Sequence, residues 1–97
     1  MKTFTFMNVQ YRVEKSTDEY AANRGQPILD MLRHEDNAPC GRMTLCIPDV
    51  KLAAGETILK DLFVDLISDL EEANVLMFTG RYAKIGYGQY PIVRLIP

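Results

Sequence analysis

The chain comprises 97 residues, 47% of them hydrophobic and 25% charged, and its 11 basic and 13 acidic side chains give a formal net charge of −2. Folding a chain of that length hides roughly 60–68% of its unfolded surface, enough for one core in a single domain over residues 1–97. Six Gly, five Pro and two Cys exclude collagen-like, low-complexity and disulfide-scaffold classes, and no run of 18 apolar residues is available to span a bilayer.

At the N-terminus, polar and apolar residues alternate from Thr3 to Glu14. One straight strand is predicted, with Thr5, Met7, Val9, Tyr11 and Val13 on one face and Phe4, Phe6, Asn8, Gln10, Arg12 and Glu14 on the other. Arg12 and Glu14 fall where a secretion signal needs its apolar core, so a cytoplasmic location with reduced thiols is expected. Ser16-Thr17-Asp18-Glu19 matches a capping box and predicts a short helix to about Arg24, stopped by Gly25. Pro27 followed by Ile28, Leu29, Met31 and Leu32 fits a second short helix to about Glu35, and an irregular segment fits as well.

Asp36 to Gly41 is rich in turn formers, and the alternation of Met43, Leu45 and Ile47 predicts a strand closed by Pro48-Asp49. From Glu56 to about Ala73 the apolar residues Ile58, Leu59, Leu62, Phe63, Leu66, Ile67, Leu70 and Ala73 recur with the rhythm of a wide helical stripe. A helix roughly 27 Å long is expected there as the organiser of the core. Val75 to Ile96 reads as two or three strands punctuated by Gly80, Gly86 and Gly88. Ile92 to Ile96 is apolar on both faces, which suits the interior of a sheet or a homodimer contact. The expected fold is α+β: a mixed or antiparallel sheet of four to five strands with the long helix 56–73 across one face.

Charge is uneven along the chain, with a balance of −5 up to Glu72 and +3, from Arg81, Lys84 and Arg94, beyond it. On an α-helix Asp61, Asp65, Asp69 and Glu72 gather into a band about 80° wide. Such a band either keeps a small protein solvated or meets the Arg and Lys side chains of a basic partner. Tyr82, Tyr87 and Tyr90 stand among Arg81, Lys84 and Arg94, and aromatic faces beside cations suit single-stranded nucleic acid. A calculated isoelectric point near 5.3 argues against that reading.

Catalytic signatures are sparse. His34, Cys40 and Cys46 are spaced H-x5-C-x5-C, which matches no common zinc pattern and supplies three ligands at most. Neither a phosphate-binding glycine loop nor a serine elbow nor a metalloprotease motif is present. The expectation is a non-enzymatic interaction module without cofactor or metal. It would block a basic surface of another macromolecule, as small phage or mobile-element inhibitors of nucleic-acid-handling defence complexes do, and Asp61, Asp65, Asp69, Glu72, Tyr82 and Tyr87 would make the contact. The alternative is an RNA- or single-strand-binding module using Arg81, Tyr82, Lys84, Tyr87 and Tyr90. A metal protein or enzyme centred on His34, Cys40 and Cys46 comes third.

Overall fold

In the computed structural model, which describes residues 2–20 and 25–96, the chain is built mainly of antiparallel strands. The first sheet has the order β1-β2-β3-β4, from β1 (Lys2–Phe6), β2 (Val9–Glu19), β3 (Pro27–Arg33) and β4 (Pro39–Arg42). The second has the order β5-β6-β8-β7, from β5 (Thr44–Leu45), β6 (Glu56–Leu59), β7 (Leu76–Ile85) and β8 (Gly88–Leu95). A 3₁₀ segment, Asp61–Leu66, runs directly into a short helix, α1 (Ile67–Glu72).

Met43 joins the sheets. Lying between β4 and β5, it donates its N–H to the Leu29 carbonyl at 2.8 Å and accepts at its own carbonyl from the Lys60 N–H at 2.8 Å. One stretch of chain therefore carries the edge of the first sheet into the edge of the second, with the Met43 side chain fully buried at the corner. A second seam is polar. Gln26 donates from Nε2 to the Leu45 carbonyl at 2.8 Å and to Thr57 Oγ1 at 3.0 Å, and Thr57 Oγ1 donates to the Pro27 carbonyl at 2.9 Å. Both side chains are buried, so each bond satisfies a group that would otherwise be stranded away from water.

Phe4, Val13, Leu29 and Met31 from the first sheet meet Leu59, Leu76 and Val93 from the second in one core, closed by Phe63, Leu66 and Leu70 of the helical segment. β1 and β7 are the outermost strands of their sheets, and α1 packs against both. A smaller cluster, Ile47, Ile58, Ala83 and Ile92, covers the outer face of the second sheet.

The expected α+β fold with a long helix on one face is thus corrected to a two-sheet, mostly β architecture. Glu56–Leu59 pairs as a strand between β5 and β8, and only Asp61–Glu72 is helical. The apolar stripe is nevertheless real at most positions. Ile58, Leu59, Phe63, Leu66 and Leu70 are all buried, but not on one face: strand alternation sends Ile58 to the smaller cluster and Leu59 to the main core, where Phe63, Leu66 and Leu70 of the helical segment join it. Short apolar runs do not distinguish a strand from a helix.

The predicted second helix also fails. Pro27–Arg33 is a strand with partners on both sides, which buries Ile28 on one face and Leu29 and Met31 on the other. Ser16–Glu19 continues β2 instead of opening a helix, and residues 21–24 of that predicted helix lie outside the described residues. Gly25 is left-handed, with φ 84°, but it sits in the connection between β2 and β3. Pro39–Gly41, read as turn, belongs to β4.

The first strand is likewise two strands. Met7 and Asn8, with φ 50° and 65°, form a two-residue turn between Phe6 and Val9, the primed hairpin type whose twist matches antiparallel strands. The pairing sets Phe4 opposite Tyr11, with ring centroids 5.6 Å apart. Even positions before the turn therefore share a face with odd positions after it, which a single uninterrupted alternation could not represent. Ile92–Leu95, by contrast, is interior to its sheet, between β6 and β7, as one of the two expected arrangements had it. No helix among the described residues is long and apolar enough to cross a membrane.

Candidate interaction surface

The helical segment starts without a side-chain cap at Lys60, and three-residue steps close its 3₁₀ part at both ends, from the Phe63 N–H to the Lys60 carbonyl at 3.0 Å and from the Ile67 N–H to the Val64 carbonyl. Phe, Val and Asp are weak helix formers, consistent with a tighter opening turn. It ends in a Schellman arrangement: Asn74 is left-handed at φ 59°, its N–H bonds the Glu71 carbonyl at 3.0 Å, and the Val75 N–H bonds the Leu70 carbonyl at 2.9 Å.

The 3₁₀ start changes which side chains face water. A 3₁₀ turn advances about 120° per residue, against about 100° in an α-helix. Phe63, Leu66 and Leu70 then fall on one inward side, as their burial shows. Leu62 is rotated onto the opposite side with Asp65 and Glu72. It is 79% exposed, and Val64 beside it is 38% exposed. The expected narrow acidic band opens accordingly: Asp61, Asp65, Asp69 and Glu72 span about 180° of the surface instead of about 80°. Asp61, Asp65 and Glu72 are exposed and Asp69 is half-buried.

Residues 61–72 carry five acids and no base. The ion pairs among the described residues, Arg12–Glu14, Arg33–Asp36, Arg42–Asp30 and Arg81–Glu56, use none of them. Glu71 has a separate task, accepting from the Phe78 N–H at 3.2 Å and so tying α1 to the edge of β7. Neither that bond nor the exposure of Leu62 was visible in the sequence pattern, which counted Leu62 as core.

The two tyrosines expected beside the acidic band do not join it. Tyr82 lies on β7, half-exposed and edge-on to Phe78 with centroids 5.2 Å apart. Tyr87 is the fully exposed second residue of the β7–β8 turn, after Gly86 at φ 57°. It stands nine residues beyond the point where Glu71 holds β7 at Phe78, roughly 30 Å along an extended strand.

The residues of the nucleic-acid reading are also dispersed in role. Arg81, in a bulge of β7, is bound to the buried carboxylate of Glu56, whose pKa this hydrogen bond lowers. Tyr90 packs half-buried against the outer cluster and folds over Gly88, where an added Cβ would lie 3.0 Å from the phenol oxygen. That leaves Lys84, Tyr82 and Tyr87 exposed on the hairpin.

His34 lies in the β3–β4 turn, Cys40 is an exposed free thiol on β4, and Cys46 is a half-buried free thiol after β5. No group of three His, Cys, Asp or Glu among the described residues is placed to hold a metal ion. The chain matches no known protein family, and neither the curated proteins nor the solved structures yield a significant match.

Proposed function

We propose that this chain is an interaction module that occupies a basic, apolar-pitted surface of another macromolecule and denies it to that macromolecule's own ligands. The observation that carries the reading is Leu62, a large apolar side chain left 79% exposed beside Asp61 and Asp65, neither of which has a cation partner among the described residues. An apolar anchor flanked by charges resembles a binding hot spot with its polar rim. Unpaired carboxylates favour a partner rich in Arg and Lys and speed its encounter. The nucleic-acid alternative draws less support, since Arg81 is committed to Glu56 and each phosphate contact requires a free cation.

Calorimetric titration tests this with two defined probes, an amphipathic Lys/Leu peptide and a single-stranded oligonucleotide. The peptide should bind and weaken several-fold between 50 and 300 mM salt, given roughly 8 Å screening at physiological ionic strength. Asp61→Lys with Asp65→Lys should abolish binding without altering the melting curve. Binding of the oligonucleotide, or equal binding of an acidic peptide of the same pattern, would remove the proposal.

A further inference from the structure

A cleft of about 560 Å³ opens between the sheets where β2 and β3 approach the end of β8. Its floor is the main core itself, through Val13, Leu29 and Val75, and Leu95 forms part of a wall. That wall is held by backbone bonds from the Leu95 N–H to the Gly55 carbonyl at 2.9 Å and from the Ile96 N–H to the Val75 carbonyl at 3.1 Å. The volume lies within the range of about 300–1,000 Å³ common for small-molecule sites, and the mainly apolar lining is of the same kind.

Two cations also line the cleft, Lys15 and Arg94, both exposed. Neither forms an ion pair among the described residues. Arg94 lowers the pKa of Glu56 through its charge, but the oxygens of Glu56 are already engaged by Arg81 and by the Ala53 N–H at 2.8 Å. Among the described residues, the lining thus holds two cations without an ion-pair partner beside an apolar floor. This is separate from the surface around Leu62.

We propose that the cleft binds a small amphipathic monocarboxylate as a free monomer, its aliphatic part on Val13, Leu29 and Val75 and its carboxylate between Lys15 and Arg94. A charge-assisted hydrogen bond is roughly twice as strong as a neutral one, so head-group charge should dominate selectivity among chains of equal length.

Dodecanoate, dodecylammonium and dodecanol, each below its self-association concentration, are titrated into the full chain by calorimetry and methyl NMR. Dodecanoate should bind one to one, shifting the Val13, Leu29 and Val75 methyls, with the other two at least tenfold weaker. Lys15→Gln with Arg94→Gln should lower dodecanoate affinity at least tenfold. Should that double variant fail to fold, Ala54→Trp, at an exposed position lining the cleft, is expected to block binding in the same way. Equal affinity for dodecylammonium, shifts confined to the β7–β8 hairpin, or no saturable binding would overturn the proposal. So would co-sedimentation with phosphatidylglycerol vesicles without binding of monomeric dodecanoate.

Discussion

Leu62 and Leu66 sit four residues apart and would share one buried stripe on a continuous α-helix, so truncating each to alanine separates the two geometries. Leu66 is 6% exposed in the core, and Leu→Ala at such a site costs about 2–5 kcal/mol through lost transfer energy and the cavity left behind. For a domain of this size each kcal/mol moves Tm by roughly 4–8 °C, so Leu66→Ala should lower Tm by at least about 8 °C. Leu62 retains about a fifth of its burial, and a fully buried leucine is worth ~1.5–3 kcal/mol, which leaves only about 0.3–0.6 kcal/mol to lose. Leu62→Ala should therefore shift Tm by less than about 5 °C, partly offset by the better helix propensity of alanine. Differential scanning calorimetry of both variants, with urea midpoints as a second measure, provides the comparison. Comparable losses at the two positions would refute the 3₁₀ rotation and return Leu62 to the core.

Other perturbations test other joints of the fold. Met7→Asn with Asn8→Gly installs the residues that tolerate positive φ at the β1–β2 turn, and should raise stability by roughly 0.5–1 kcal/mol in urea denaturation. Thr57→Val removes the donor to the Pro27 carbonyl and the acceptor for Gln26, stranding buried groups at the seam between the sheets; a loss of about 1–3 kcal/mol is expected. The Asp36 carboxyl, held at about 2 by the Arg33 guanidinium and the Ala38 N–H, contributes stability above its unfolded value of ~3.9, and that contribution disappears as pH falls toward 2. Asp36→Asn should flatten that part of the acid limb, and carboxyl NMR should find the midpoint near 2. Glu56, lowered chiefly by the hydrogen bond from Arg81, has the same sign. Glu56→Gln should remove a stability gain that in the native protein is present above the usual carboxylate range and lost as pH falls through the depressed value.

The residues that fill the core were largely legible in the sequence, while the elements that deliver them were not. Ile58, Leu59, Phe63, Leu66 and Leu70 are buried as their spacing implied, yet the first two do so from a strand, because i, i+1 apolar pairs satisfy a doubly covered strand as well as a helix. Pro27–Arg33 was misread for the same reason: partners on both edges decide a central strand, and they come from β2 and β4, too distant in sequence to register in a local window. The Met7-Asn8 turn escaped notice because methionine is a rare occupant of a left-handed position. The end of α1 near Ala73 was readable from where the apolar rhythm ceases, and Asn74 supplies the left-handed stop there. Of the site, the acidic residues were legible from composition; the exposure of Leu62 was not, because six residues are too few to separate the 3.0 period of a 3₁₀ segment from the 3.6 period of an α-helix. The Lys15–Arg94 cleft joins residues 79 positions apart and exists only once the sheets have met.

Backbone amide NMR during titration of the basic amphipathic peptide tests the interaction surface most directly. The largest shifts are predicted at residues 60–66, around Leu62, with smaller ones near Asp69 and Glu72, and all should vanish in the Asp61→Lys, Asp65→Lys variant. Shifts centred on Tyr82 to Gly88, or unchanged shifts in that variant, would contradict it.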